Sequence, residues 1–305
     1  MKTNRKKKQN GLKTIQLILL ALAVTALVVL VVKVYERNMS IHNDPHYGQV
    51  EVFNGQDYIW ITPEDGVPVN TLKAEEFTMD ESGRPVYTGS QYKSMLGVDV
   101  SQYQGDIDWQ QVYDSGVRFA IIRAGGRYYG ENGEMYTDDN FAANLAGAKA
   151  AGLKVGVYFF SQAINTEEAR EEALYTLDLI GDTELDLPVF CDWERVADTD
   201  ARTGTVDGAT MTDCAAAFCE TVKQEGFDAG VYIYPSTGYY DYELSRLTDY
   251  AFWCTSLGDH PFFYYAHTLW QYSFESSVPG IDHKCNSIAT GRQAAKPPIS
   301  VFSRK

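Results

Sequence analysis

Two acids stand two positions apart in "LPVFCDWER" (187–195), where an apolar run ends in Asp192, Trp193 and Glu194. Read as a strand, the run turns residues two apart to the same face, about 6.5–7 Å from each other along the chain. Like charges that close raise one pKa and leave one proton donor and one ionised partner near neutral pH. A pair of carboxyl groups dividing those two tasks is the equipment of glycosidic-bond cleavage. A third acid, Asp99, ends another apolar run in "MLGVDVSQ".

The elements that must carry these acids follow from the pattern around them. Apolar runs predict strands in "MLGVDVSQ", "RFAIIRAG", "LKVGVYFFSQ", "LPVFCDW", "DAGVYIYP", "YAFWCTS" and "HTLWQYS". Between the earlier ones lie helical stretches. "DIDWQQVYDSG" stops at Gly116 and "DDNFAANLAGAKAAG" ends at Gly152. "NTEEAREEALYTLDLIG" opens on Asn165 as N-cap, with Glu168 three residues on. "TMTDCAAAFCETVKQEG" supplies a fourth helix. Strands alternating with helices predict parallel βαβ units, and continuously apolar strands predict a sheet covered on both faces. The predicted fold class is α/β, a TIM-like β/α barrel, with an open doubly wound sheet as the structural rival. "GVDVSQYQGD" offers acids where a nucleotide site wants glycines, which weakens a dinucleotide-binding reading.

In a barrel, chemistry gathers where strands end at their C-terminal side. The predicted strand ends supply Asp99, Arg123, Tyr158, Phe160, Asp192, Glu194, Tyr234, Trp270 and Gln271. This is a ring of carboxylates and aromatics around one mouth, and aromatic faces suit sugar rings. The candidate catalytic residues are Glu194, Asp192 and Asp99; the others are candidates for substrate binding.

The stretches "GVDVSQYQGDIDW", "RFAIIRAG", "AGLKVGVYFFSQA", "LPVFCDWE" and "LWQYSFESSVPGI" occur in an order that resembles the glycoside hydrolase family 25 lysozymes, the Cellosyl-type muramidases. The resemblance covers about Leu96 to Arg292. It implies a β/α barrel with fewer than eight outer helices. It also implies cleavage of the β-1,4 bond between N-acetylmuramic acid and N-acetylglucosamine in peptidoglycan. Glu194 is then the implied general acid, and Asp192 the implied stabiliser of an intermediate formed by the substrate's own N-acetyl group. Asp99, in the motif "G-x-D-V-S", lines the same pocket. No metal or organic cofactor is implied.

One departure stands near the C-terminus. A "V-D-L-N"-like motif is expected after "P-G-I", and a gapless reading gives "CNSI", so Asn286 falls where an acid is expected. Asp282, four residues earlier, either replaces that acid toward the substrate or is a turn residue, which Pro279 and Gly280 favour. Two other functions compete. A chitinase-like barrel needs a further Asp two residues before the Asp of D-x-E, where this chain has Phe190. A catalytically inactive wall-binding module would keep the aromatics without needing Glu194.

The N-terminus has a different character. "MKTNRKKKQNGLK" is basic without an acid, and Thr14–Val32 is uncharged and apolar. About 20 such residues span a bilayer as a helix, and no convincing cleavage site follows. The reading is a cytoplasmic tail (1–13), a single-pass anchor in the cell membrane (14–34), an extracellular stalk or small β-rich spacer (35–94), a catalytic barrel (95–293) and a C-terminal tail (294–305). A cleaved signal peptide is the rival. The expected partners are therefore the lipid bilayer and peptidoglycan glycan strands. The chain's net charge is −15, and residues 1–37 carry +7, which leaves −22 on the remainder. So acidic an ectodomain argues against nucleic acid as a partner. Five cysteines, an odd number, read as buried free thiols, with one disulfide as the alternative.

Overall fold

The computed structural model describes residues 2–293 apart from 197 and 199; the predicted tail 294–305 lies outside the described residues. Two units are distinct, residues 1–50 and 51–305. The first is dominated by helix α1 (Lys2–His42), whose stretch Gln16–Ser40 contains an 18-residue window with a mean hydropathy of 3.0 and is long and apolar enough to cross a membrane.

In the second unit, β1 (Val50–Phe53) and β2 (Tyr58–Ile61) form a hairpin, as do β3 (Phe77–Met79) and β4 (Pro85–Tyr87). Then follow β5 (Tyr92–Val100), α2 (Trp109–Asp114), β6 (Phe119–Arg127), β7 (Met135–Thr137), α3 (Phe141–Ala150), β8 (Lys154–Ser161) and α4 (Thr166–Ile180). The chain continues through β9 (Val189–Trp193), α5 (Gly208–Gln224), β10 (Ala229–Ile233), α6 (Pro235–Tyr240), β11 (Ala251–Thr255), β12 (Leu269–Ser276) and β13 (Cys285–Gln293).

The sheet runs β5-β13-β12-β11-β10-β9-β8-β6 and closes through a β5–β6 pairing, giving an eight-stranded barrel with β7 attached to β6. Every barrel pairing is parallel except the two made by β13, which is antiparallel to both β12 and β5. The closing strand therefore departs from the uniform parallel βαβ repeat read from the sequence. No α-helix lies between β11 and β12, so the outer helices are fewer than the strands.

Local chemistry sets the helix ends. The Asn165 side chain accepts a hydrogen bond from the Glu168 amide at 2.9 Å, as the N-cap pattern predicts. Gly116 (φ 100°) and Gly152 (φ 86°) turn the chain after α2 and α3 in a left-handed conformation that a Cβ disfavours. Inside the barrel, Phe119, Ile121, Tyr158, Phe190, Tyr232, Trp253, Leu269 and Ile288 form one cluster. A Cβ on Gly97 would sit 2.2 Å from the Phe119 ring, and one on Gly230 2.3 Å from the Phe190 ring, so these glycines make room for the aromatic filling. All five cysteines are buried and unpaired.

Residues 51–94 pack onto the barrel's surroundings. The Glu64 carboxylate accepts hydrogen bonds from the Leu244 and Ser245 amides, both at 2.9 Å. Asn70 donates its amide to the Tyr264 carbonyl, and the Phe77 ring meets Trp270 edge-on at 5.4 Å. Few of these residues are apolar and buried, which is why the sequence shows no core here: the burial is supplied by the barrel.

Candidate active site

Inward-facing residues at the C-terminal ends of the parallel strands change from apolar to polar. Along β5 the order is Met95, Gly97, Asp99; along β9 it is Phe190 and Asp192, with Glu194 just past the strand end. Alternation thus places Asp99, Asp192 and Glu194 above the apolar filling. In register, Phe160 lies opposite Asp192, and Asn286 lies opposite Asp99.

That last pairing answers the question raised by "CNSI". The Asn286 amide donates to Asp99 Oδ2 at 2.6 Å, and the Gln271 amide donates to the same oxygen at 3.4 Å. Gln271 is fixed in turn by Tyr232, whose hydroxyl donates to Gln271 Oε1 at 2.7 Å, and by Thr255 at 2.6 Å. Asp282 is exposed in the turn before β13, and it is Asn286, not Asp282, that meets Asp99.

Burial is the largest influence on all three acids. It pushes Asp99 up to about 6, against hydrogen bonds from Asn286 and Tyr158 and the nearby Arg123 charge, which lower it. Burial also drives Asp192 well above the usual carboxylate range, with the Glu194 charge adding to the shift. Glu194 is raised by burial too, and its contact with Asp192 opposes the rise. Both carboxyls therefore keep a proton to higher pH than an ordinary carboxyl does. Asp192 Oδ1 is buried and accepts no hydrogen bond from any described residue.

The other candidates sort by strand face. Tyr158 is buried inside the barrel, its hydroxyl turned towards Asp99. Tyr234 is half-buried, its ring 5.4 Å from Tyr232 and within reach of the Glu194 charge. Arg123 and Phe160 line a cleft of about 590 Å³ together with Tyr103, Tyr128 and Tyr136. The Arg123 guanidinium is held by Asp138 at 2.7 Å and lies 4.8 Å from the centre of the Tyr103 ring. Trp270 is a correction. It lies on the opposite side of β12 from Gln271, buried against Phe77, and its indole N–H donates to the Ser256 carbonyl at 2.7 Å. Successive strand residues face opposite ways, so Trp270 and Gln271 cannot both line the mouth. A separate cavity of about 610 Å³, lined by Arg84, Ser115, Tyr272 and Glu275 among others, contains none of the three acids.

One supporting residue, Asp138, gave no sequence signal. Asp138 looks like an ordinary helix-start acid in "TDDN", yet it is buried and anchors Arg123. Gln162 donates to the backbone carbonyl of Glu194 at 2.7 Å and accepts from Thr203 at 2.9 Å, fixing the loop that carries the acid.

The sequence model of the glycosyl hydrolases family 25 matches residues 98–281, a span that contains all three acids. The chain belongs to this family. Among curated relatives, the autolytic lysozyme of Clostridium acetobutylicum is 29% identical over 189 residues, covering 61% of this chain and 53% of the relative. Lysozyme M1 of Streptomyces globisporus is 41% identical over 66 residues, 22% of this chain and 20% of the relative. The chain thus spans about half the length of the autolytic lysozyme and a smaller share of lysozyme M1. Solved structures share the fold. A bacterial lysozyme from Streptomyces coelicolor aligns with a TM-score of 0.55 at 24% identity, over 66% of this chain and 94% of that one. The modular autolysin LytC of Streptococcus pneumoniae aligns with a TM-score of 0.57 at 22% identity, over 79% of this chain and 56% of that one.

Proposed function

We propose that this family 25 protein is a membrane-anchored peptidoglycan hydrolase. It cleaves the β-1,4 bond between N-acetylmuramic acid and N-acetylglucosamine, with Glu194 as acid/base and Asp192 supporting participation of the substrate's N-acetyl group. The observation that carries this reading is the buried Asp192–Glu194 pair at the end of β9, with Asp192 Oδ1 unpartnered. The names of the lysozyme relatives agree with it, and LytC has been solved with a synthetic peptidoglycan ligand.

The chemistry follows from the shared proton. An acetamido N–H donated to Asp192 Oδ1 favours the aspartate anion and leaves the proton on Glu194. Glu194 then gives it to the departing glycosidic oxygen, while the acetamido carbonyl oxygen bonds to the anomeric carbon. In the second half, Glu194 takes a proton from water, and the water oxygen displaces the acetamido oxygen. Two displacements at one carbon retain its configuration. Following the product by NMR as it forms should therefore show the β-anomer first; the α-anomer first would contradict the substrate-assisted route.

Two variants test the polar surround of Asp99. Asn286→Asp replaces its 2.6 Å donor by a like charge, so the acid limb of the pH–rate profile should move to higher pH. Asp282→Asn should leave rate and profile unchanged.

Placement of the domain rests on α1 as an uncleaved anchor, with its basic end in the cytoplasm. Protease added to cells with a permeabilised wall and an intact membrane should then remove the barrel from the membrane fraction. A mature chain starting after residue 34 would contradict the anchor.

A further inference from the structure

A polymer cut in mid-strand must be held on both sides of the broken bond. The 590 Å³ cleft lies on one side of the acids, against β6, β7 and β8. On the other side, past β10, β11 and β12, is a second pocket of about 290 Å³. Its far wall comes from outside the family span: Phe53 and the loop to Gln56, in the β1–β2 hairpin.

We infer that this hairpin completes a binding subsite for one neutral N-acetylhexosamine unit of the glycan strand, next to Glu194. The inference rests on the glycan-hydrolase reading and extends it to residues ahead of the barrel.

Four observations carry it. First, Tyr234 lines the pocket, its ring stands 5.4 Å from Tyr232, and it feels the Glu194 charge. Second, its walls are aromatic and polar: Phe262 meets Phe53 at 5.0 Å, and Phe274 lies 6.5 Å from Tyr234. Apolar ring faces with a few hydroxyl and amide groups suit the C–H face and the substituents of a pyranose. Third, Ser256 lines the pocket, is 1% exposed, and its hydroxyl has no hydrogen-bond partner among the described residues. A buried hydroxyl left unpaired is costly, and a ligand acceptor or donor would satisfy it. Fourth, none of the residues that line the pocket is charged, although 22% of the chain is. A carboxylate-bearing or peptide-bearing sugar would find no counter-charge there, whereas a neutral one needs none. In an alternating strand with N-acetylmuramic acid at the reacting position, both neighbours are the neutral N-acetylglucosamine. The volume sits at the small end of ligand pockets, about 300 Å³, which fits a single sugar rather than a longer segment.

The hairpin is built to hold this wall. The Asn54 side-chain oxygen accepts the Gln56 and Asp57 amides at 2.9 and 2.8 Å, and Gly55 takes φ 103°.

The test uses full-length protein in detergent with the Glu194→Gln change, titrated with tri-N-acetylchitotriose by calorimetry. Two exposed positions are altered: Ser236→Trp, which fills the pocket, and Gln56→Ala, which trims its hairpin wall. Ser236→Trp should weaken binding at least tenfold and Gln56→Ala a few-fold, with melting temperatures unchanged. In the active protein, the same changes should raise KM for peptidoglycan more than they lower kcat. Phe53→Ala, checked for folding by circular dichroism, should behave like Ser236→Trp. Absence of trisaccharide binding, or equal binding by the parent and Ser236→Trp, overturns the subsite. If the unmodified protein cuts no peptidoglycan but Ser236→Trp still abolishes trisaccharide binding, the subsite stands and the hydrolase reading fails. If it cuts and the variants match it in both assays, the hydrolase reading stands and the subsite falls.

Discussion

Glu194→Gln should reduce peptidoglycan hydrolysis by about 100- to 10,000-fold, the usual worth of a general acid/base, while leaving the fold intact. Glutamine keeps the size and hydrogen bonding of the side chain but cannot pass a proton. The loop that carries it is held through its backbone, by Gln162 at 2.7 Å, so the substitution does not disturb that support. Removing Glu194 also frees Asp192 from a neighbouring negative charge, which lowers its proton affinity. Asp192 in the variant is then anionic over a wider pH range, yet no group remains to protonate the leaving oxygen. The expected signature is thus a low pH–rate profile that has lost its basic limb, with a normal melting temperature. Near-normal turnover of purified peptidoglycan by the glutamine variant would assign the acid elsewhere.

Asp99→Asn should stabilise the protein at neutral pH while lowering its activity. Burial raises the Asp99 pKa from an ordinary 3.8 to about 6, so folding favours its protonated form. That contribution is fully present below pH 3.8 and is lost as pH rises through 6. Above 6 the folded protein carries a carboxylate held at a cost of about 3 kcal/mol, at 1.36 kcal/mol per pKa unit. Asparagine removes the charge and still offers an oxygen to the Asn286 and Gln271 amides. Thermal unfolding at pH 7.5 should show a gain of several degrees, which shrinks through pH 6 and vanishes below pH 4. Activity should fall because the anion that orders Asn286, Gln271 and Tyr158 towards the cleft is gone. A variant less stable than the parent at pH 7.5 would show that the anion's contacts outweigh its burial.

The barrel was legible in the sequence where strands are covered on both faces. "RFAIIRAG" and "LPVFCDW" are apolar because inward residues meet the aromatic filling and outward ones meet helices, and both became strands. The carboxyl pair was legible for the same reason: an acid at the end of such a run has nowhere to point but the mouth. β13 was not legible as a strand from its residues, because "CNSIATGRQ" is small and polar. Its position is fixed by pairing with β5 and β12, which only the closed sheet supplies. Trp270 was grouped with Gln271 at the mouth, although successive strand residues face opposite sides. The β1–β2 hairpin looked like spacer, since its few apolar residues are buried by partners some two hundred positions away, such as Phe262 against Phe53.

If the Asp192–Glu194 pair does the cutting, it breaks the bond on the reducing side of N-acetylmuramic acid. Purified peptidoglycan, digested with the full-length protein and reduced with borohydride, reports this directly in the mass spectrum of its muropeptides. New reduced ends should appear on N-acetylmuramic acid, present with the unmodified protein and nearly absent with Glu194→Gln. New reduced ends on N-acetylglucosamine, or no new ends at all, would contradict it.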